Sequence, residues 1–236
     1  MLTIKRIVLA LVAVTLTCLV PTLVFGQDTV LSERDSGSYN VGYYVNANMG
    51  FPDAQLHVSN PGSTGGFGSG DPTTVAGGDL CANIYVFTPD QQLAECCSCR
   101  VTPNGMQGFS LAADLTSNPL TPIVPHSGAI KIVSSFGGGR RGAGLPPTVD
   151  TSSSRQFCDA GSDYWAQGRL ESWITHVRPL GTPAYTVTEI DFQAAQLSYS
   201  ELKKLEQQCY AIEANPSNGG LGSGHGVCTC DPEKAF

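Results

Sequence analysis

Three cysteines fall within four consecutive positions in AECCSCR (Cys96, Cys97 and Cys99), and a second Cys-x-Cys follows far along the chain at Cys228 and Cys230. Sulfurs packed this closely hold a metal, carry redox chemistry or enter disulfides, and the compartment decides among the three. The N-terminal MLTIKR carries Lys5 and Arg6 and runs into IVLALVAVTLTCLVPTLVFG, twenty residues without a charge. A basic start, an apolar middle, and Val24 and Gly26 placed before a cut at Gln27 read as a secretory signal peptide over residues 1–26. Read instead as a retained anchor, the same run still leaves everything after Gln27 exported, because the basic residues stay inside. Cys18 leaves with the signal, so Cys81, Cys96, Cys97, Cys99, Cys158, Cys209, Cys228 and Cys230 remain. An even set in an oxidising compartment reads as a disulfide framework.

Spacing adds detail to that reading. On a strand covering residues 93–101, Cys97 and Cys99 share one face and Cys96 takes the other. Cys228 and Cys230 have the same spacing, so two such segments side by side form two disulfide rungs that tie a Gly-rich tail to the sheet. Cys209 lies on the apolar side of a helix and is expected to bond inward to another cysteine. The full connectivity stays open. The competing reading is a zinc or cuprous copper site built from Cys96, Cys97, Cys99, His225, Cys228 and Cys230. Against it, Cys-x-Cys is tighter than the usual zinc spacing. Cys96 to Cys99 is the one CxxC, and it is crowded by Cys97 with no helix evident after it.

Apolar runs are short and alternate between Gly, Pro, Asn and Asp breaks, which reads as strands and turns. NVGYYVNA places Val41, Tyr43 and Val45 on one face, and AQLHVSNPG does the same for Leu56 and Val58. NIYVFTPDQQLAECCSCRV reads as a hairpin, with Ile84 and Val86 on one face, Tyr85 and Phe87 on the other, and Pro89 in the turn. GFSLAADL, AIKIVSSF, RLESWITHV and YTVTEIDFQ complete eight expected strands. One helix stands out in LSYSELKKLEQQCYAIEANP, over about 198–214. Ser198 and Glu201 make a capping box, Leu197 and Leu202 a hydrophobic staple, and Leu202, Leu205, Cys209 and Ile212 an apolar stripe. The fold expected is mainly β, a β-sandwich or jelly roll with this helix packed on the sheet, disulfide-rich, in one secreted domain over residues 27–236. Long Gly/Pro/Ser-rich loops are expected at 60–79, 137–155 and 215–226.

Charge narrows the partners. The chain has 13 Lys and Arg against 20 Asp and Glu, and the signal takes two of the basic residues and no acidic one, which leaves 11 against 20, a formal charge of −9. An acidic surface repels phosphate backbones, so nucleic acid is not an expected partner. Catalytic signatures (GxSxG, HExxH, a phosphate loop) are absent from the sequence, and His57, His126, His176 and His225 are scattered singly. His57 and His176 read as hydrogen-bonded structural histidines within strands.

Weaker candidates sit in CDAGSDYW and GGGRRG. Asp159 and Asp163 have the chemistry of calcium ligands, Tyr164 and Trp165 that of an aromatic contact surface, and Arg140 and Arg141 that of an anion contact. Trp173, inside a strand, is expected in the core. No cofactor is expected. The function expected is a non-enzymatic extracellular protein: a surface or matrix component, or a binding module for an extracellular protein or glycan. It is also a candidate for self-association, with residues 27–50 donated as a strand to a neighbour's sheet. The alternatives are a secreted hydrolase acting on carbohydrate and an extracellular Cys/His metal binder.

Overall fold

Strand β3 (Leu80–Phe87, LCANIYVF) is buried along its whole length, and that one property organises the molecule. Its even-numbered apolar residues, Leu80, Ile84 and Val86, join one core, while Tyr85 and Phe87 join a second on the opposite face. A strand buried on both faces needs a layer on either side. A computed structural model, which describes residues 38–63, 78–135, 158, 160, 170–181, 183–214 and 225–230, shows both layers.

The first layer comes from sheet pairing. In chain order the strands are β1 (Ser38–Tyr44), β2 (Gln55–Ser59), β3, β4 (Leu93–Val101), β5 (Met106–Ser110), β6 (Gly128–Ser135), β7 (Glu171–Gly181), β8 (Ala184–Asp191) and β9 (Gln193–Gln196). They form two antiparallel sheets, ordered β4-β3-β6-β1-β9 and β5-β2-β7-β8. Between them lies the larger core, with Tyr44, Leu56, Val58, Ile84, Phe109, Ile130, Ile132, Ile174 and Phe192. Phe192 fills the point where the chain leaves β8 for β9 and changes sheet. Its ring occupies the space a side chain at residue 42 would need, since a Cβ added to Gly42 would lie 2.3 Å from it. The inward face of β1 is therefore Gly42 and Tyr44, and Tyr43 on the alternate face is half exposed.

The second layer is helix α1 (Tyr199–Ala214), packed on the other side of the five-stranded sheet. Leu197, Leu202, Leu205, Cys209 and Ile212 meet Tyr85, Phe87, Leu93, Cys96 and Val133 in one cluster. The N-terminus is capped as the sequence indicates, with the Glu201 amide donating to Ser198 Oγ at 3.2 Å. The Glu201 carboxylate pairs with Lys131 of β6, so the second residue of the box binds the helix to the sheet. Ser198→Ala is expected to cost about 1 kcal/mol, read from the chemical denaturation midpoint.

Four disulfides cross-link the chain, one of them between the sheet and the helix. Cys96 bonds Cys209 of α1, Cys97 bonds Cys228, Cys99 bonds Cys230 and Cys81 bonds Cys158. Strand β4 thus carries three of the four bridges, with Cys96 facing the helix and Cys97 and Cys99 facing the sandwich interior. Residues 226–228 lie along the open side of β4, where the Cys96 amide donates to Gly226 O at 2.9 Å and the Cys228 amide to Cys96 O at 3.2 Å. The two rungs touch each other, with Cys97 Sγ and Cys99 Sγ 3.9 Å apart.

Two sequence expectations about the strands need correction. GFSLAADL is a strand only as far as Ser110, because Leu111–Leu115 turn into one π-helical coil. The Ser110 hydroxyl accepts from the Ala113 amide at 2.7 Å, and the Ser110 amide donates to the Asp114 carboxylate at 2.7 Å, a local cap that ends the strand. A ninth strand, β9, pairs with β1. Residues 38–44 pair within this chain between β6 and β9. Of the expected loop at 60–79, both ends are fixed: Asn60 Nδ2 donates to Gly78 O at 2.9 Å and to Val101 O at 3.0 Å. The 137–155 loop lies outside the described residues, as do the signal segment and all but the last two residues of 215–226.

Candidate interaction surface

Two sheets have four edges, and three of them are closed or short among the described residues. The β4 edge is covered by residues 226–228. Strand β9 has four residues and β5 has five before it coils at Leu111. The remaining edge, β8, has eight residues and is intermediate or exposed at every one of them. It holds no Pro and no Lys; its pairing with β7 is irregular only at the tip, between Pro179 and Gly181, and its charged residues, Glu189 and Asp191, lie together at the far end. AYTVTEID is also rich in residues that favour extended backbone.

Strand β8 is held out from the body by its partner. Strand β2 pairs with β7 only over Glu171–Ile174, whereas β8 follows β7 from Trp173 to Gly181. Beyond Ile174 the hairpin is clasped by side chains: Gln55 N–H donates to Thr175 Oγ1 at 2.7 Å, and Asn46 Nδ2 donates to Val177 O at 3.2 Å. His176 Nε2 donates to Tyr43 O at 3.1 Å, and its ring meets the Tyr43 ring edge-on at 5.0 Å. Burial lowers the pKa of His176 and keeps the imidazole neutral. It is thus the structural histidine that the sequence indicates. Past these clasps the tip projects Leu180 at 69% exposure and Tyr185 and Val187 at 51% each.

The outer face of this four-stranded sheet carries a row across all four strands: Gly108, His57, Trp173 and Asp191 stand directly opposite one another. His57 and Trp173 stack with centroids 5.3 Å apart and an interplanar angle of 22°. Trp173 therefore lies half-buried on the outer face and not in the core, because the inward positions of β7 are Ser172, Ile174 and His176. Cross-strand partners share a face, so Asp191 and Glu189 stand on the same side as Trp173 and Thr175. Both are exposed.

The carboxyl group with the most perturbed chemistry is elsewhere. Burial pushes the pKa of Glu95 up to about 7, partly offset by the hydrogen bond that its Oε1 accepts from the Asn118 amide at 2.7 Å. That value would suit a general acid, but Glu95 is fully buried inside the sandwich, out of reach of a substrate. Its role is positional: Asn118 O accepts from Gly226 N at 2.6 Å and Asn118 Nδ2 donates to Val227 O at 3.3 Å, so Glu95 supports the loop that holds the tail.

The other candidates divide in two. Tyr164, Trp165, Arg140, Arg141, Asp159 and Asp163 lie outside the described residues. Of the soft-ligand set, Cys97, Cys99 and Cys230 bring their sulfurs within 4.8 Å of one another. All three are oxidised, as are Cys96 and Cys228, so none of them offers a thiolate to a metal. His225 sits in a turn at the start of the tail, with Gly226 between it and the bridge to β4. No helix among the described residues is long and apolar enough to cross a membrane. Comparison with protein-family models, curated proteins and solved structures finds no match to this chain.

Proposed function

We propose that this protein is an exported binding module without enzymatic activity, in which disulfides stabilise a β-sandwich that displays the β7–β8 hairpin. The observation that carries the reading is the contrast between edges among the described residues: nine-residue β4 is covered, β9 and β5 are short, and the longest uncovered edge, β8, lies open on a projecting hairpin. An open edge is an aggregation hazard, retained where it receives a partner. Four disulfides suit an oxidising compartment, and residues 1–26 provide the address that leads there. Glu95, the carboxyl raised to about 7, is sealed and so does not serve as the exposed acid that carbohydrate hydrolysis needs.

Expression of the full chain in a secreting host tests this reading. The expected product begins at Gln27 and shows no free thiol by mass spectrometry under denaturing, non-reducing conditions. Recovery of the native protein with reduced cysteines, or of a cytoplasmic product with residues 1–26 attached, would remove the basis of the proposal.

A further inference from the structure

We infer that the β8 edge receives an extended basic peptide segment as a fifth strand of the β5-β2-β7-β8 sheet. The inference rests on the binding-module reading and names the chemistry of its partner. Backbone groups along one side of an edge strand are unpaired by a neighbouring strand, and an incoming chain in extended form satisfies them residue by residue. Eight residues of β8 offer room for a segment of about the same length. Affinity from backbone pairing is indifferent to sequence, so selectivity must come from side chains at alternate positions.

Two of those four alternate positions are acidic. On the outer face of β8 the sequence runs Tyr185, Val187, Glu189 and Asp191, and the β7 strand beneath adds Glu171 near the same end. Arg178 is the one Lys or Arg in the hairpin, and it pairs across to Thr186 on the alternate face. A fifth strand with Lys or Arg at alternate positions therefore places them opposite Glu189 and Asp191, next to the row that ends in Trp173. Opposite charges facing each other across strands stabilise the pairing and like charges oppose it.

The same charges argue against a second copy of this chain. Two fully overlapped β8 strands about a twofold axis would set Glu189 and Asp191 of each copy opposite Val187 and Tyr185 of the other, so neither acid gains a cationic partner, and the bodies, whose full chains each carry a formal charge of −7, repel. Acidic residues on an otherwise open edge thus serve two purposes. They discourage self-pairing and select a cationic strand.

The experiment uses the mature oxidised protein and an eight-residue peptide alternating lysine with valine. Three controls accompany it: a glutamate-for-lysine peptide, an analogue N-methylated at alternate backbone amides, and the double variant Glu189→Lys, Asp191→Lys. Both substitutions are on exposed side chains, and the variant's oxidised mass and circular dichroism report whether it folds. The expected result is saturable binding of the lysine peptide by calorimetry, with at least a tenfold loss in the variant and no binding of the glutamate or N-methylated peptides. Hydrogen exchange of the segment 184–191 should slow on binding. Should the variant misfold, the neutral pair Glu189→Gln, Asp191→Asn with the same readouts decides the matter.

Equal binding of the N-methylated analogue would overturn strand addition and leave only surface attraction. A concentration-dependent dimer that protects residues 184–191 would overturn it in favour of a second copy. No binding by a correctly processed, fully oxidised monomer would overturn the basic-strand assignment, while the processing site and thiol count still report separately on the module itself.

Discussion

Removing the Cys96–Cys209 bridge, as the Cys96→Ala, Cys209→Ala double variant, is expected to lower unfolding free energy by about 3–5 kcal/mol. The bond closes a loop of 113 residues and is completely buried between β4 and α1. With Cys97–Cys228 intact, opening it frees a ring of about 20 residues, the 209–228 stretch and the step from Cys96 to Cys97, in the unfolded chain, and it leaves a small void in the cluster of Leu205, Phe87 and Val133. The double substitution is the informative one, because a single change would leave a lone thiol able to attack another bridge. The comparison is with Cys99→Ala, Cys230→Ala, where the loss should be clearly smaller. Cys97–Cys228 already closes an overlapping loop of equal length, 131 residues, so the second rung restricts only the short ring between the two. Urea denaturation of both variants checks the order. A loss below about 1 kcal/mol for the helix bridge would mean that apolar packing alone holds α1 in place.

A second large effect concerns pH. The pKa of Glu95 is raised by burial to about 7 from an ordinary value of 4.5, so the folded state keeps a proton that the unfolded chain releases. The stability tied to that proton is complete below about pH 4.5 and disappears as pH rises through 7, a loss on the order of 3 kcal/mol. Burial raises Glu206 as well, which adds loss in the same direction, while His176, lowered by burial, works oppositely and loses stability as pH falls. The contribution of Glu95 is isolated by Glu95→Gln. Glutamine keeps the shape and the acceptor for the Asn118 amide but does not titrate. The expected outcome is a stability profile between pH 5 and 8 that declines in the parent and is several-fold flatter in the variant. Parallel profiles would show that Glu95 is solvated well enough to ionise freely. Because Asn118 also contacts Gly226 and Val227, the protection of the amides at 226–228, after correction for the intrinsic rise of exchange with pH, should fall with pH in the parent and stay level in the variant.

Where local signals and tertiary demands agree, the chain is readable. Ser198, Glu201 and the Leu202, Leu205, Cys209, Ile212 stripe specify α1 within a residue or two, and the two apolar faces of LCANIYVF match the two cores that β3 separates. The turn after β3 closes as Pro89 suggests, with the Gln91 amide donating to Thr88 O at 3.0 Å. Matching Cys-x-Cys spacings coincide with two rungs because side chains two apart on extended backbone share a face. The misreadings have physical origins too. Trp173 and Ile174 are adjacent and both apolar, and only pairing with β2 decides that Ile174 faces inward. LAADL is apolar enough for a strand, but Ser110 and Asp114 spell a local cap, a signal present in the sequence and outweighed there by hydrophobicity. The open edge of β8 is invisible to any reading of periodicity, since strand order assigns edges and residue pattern does not.

The convergence of three bridges on one strand also sets a problem of timing. Translation delivers Cys96, Cys97 and Cys99 together, and their correct mates emerge 113, 131 and 131 residues afterwards. Throughout that interval the nearest available sulfurs for each of them are one another, so premature oxidation produces wrong local loops. Cys81 meets Cys158 first, after 77 residues, and the other three must wait or be reshuffled. The yield of native molecule should therefore depend on a thiol-exchange catalyst in the compartment where the nascent polypeptide matures.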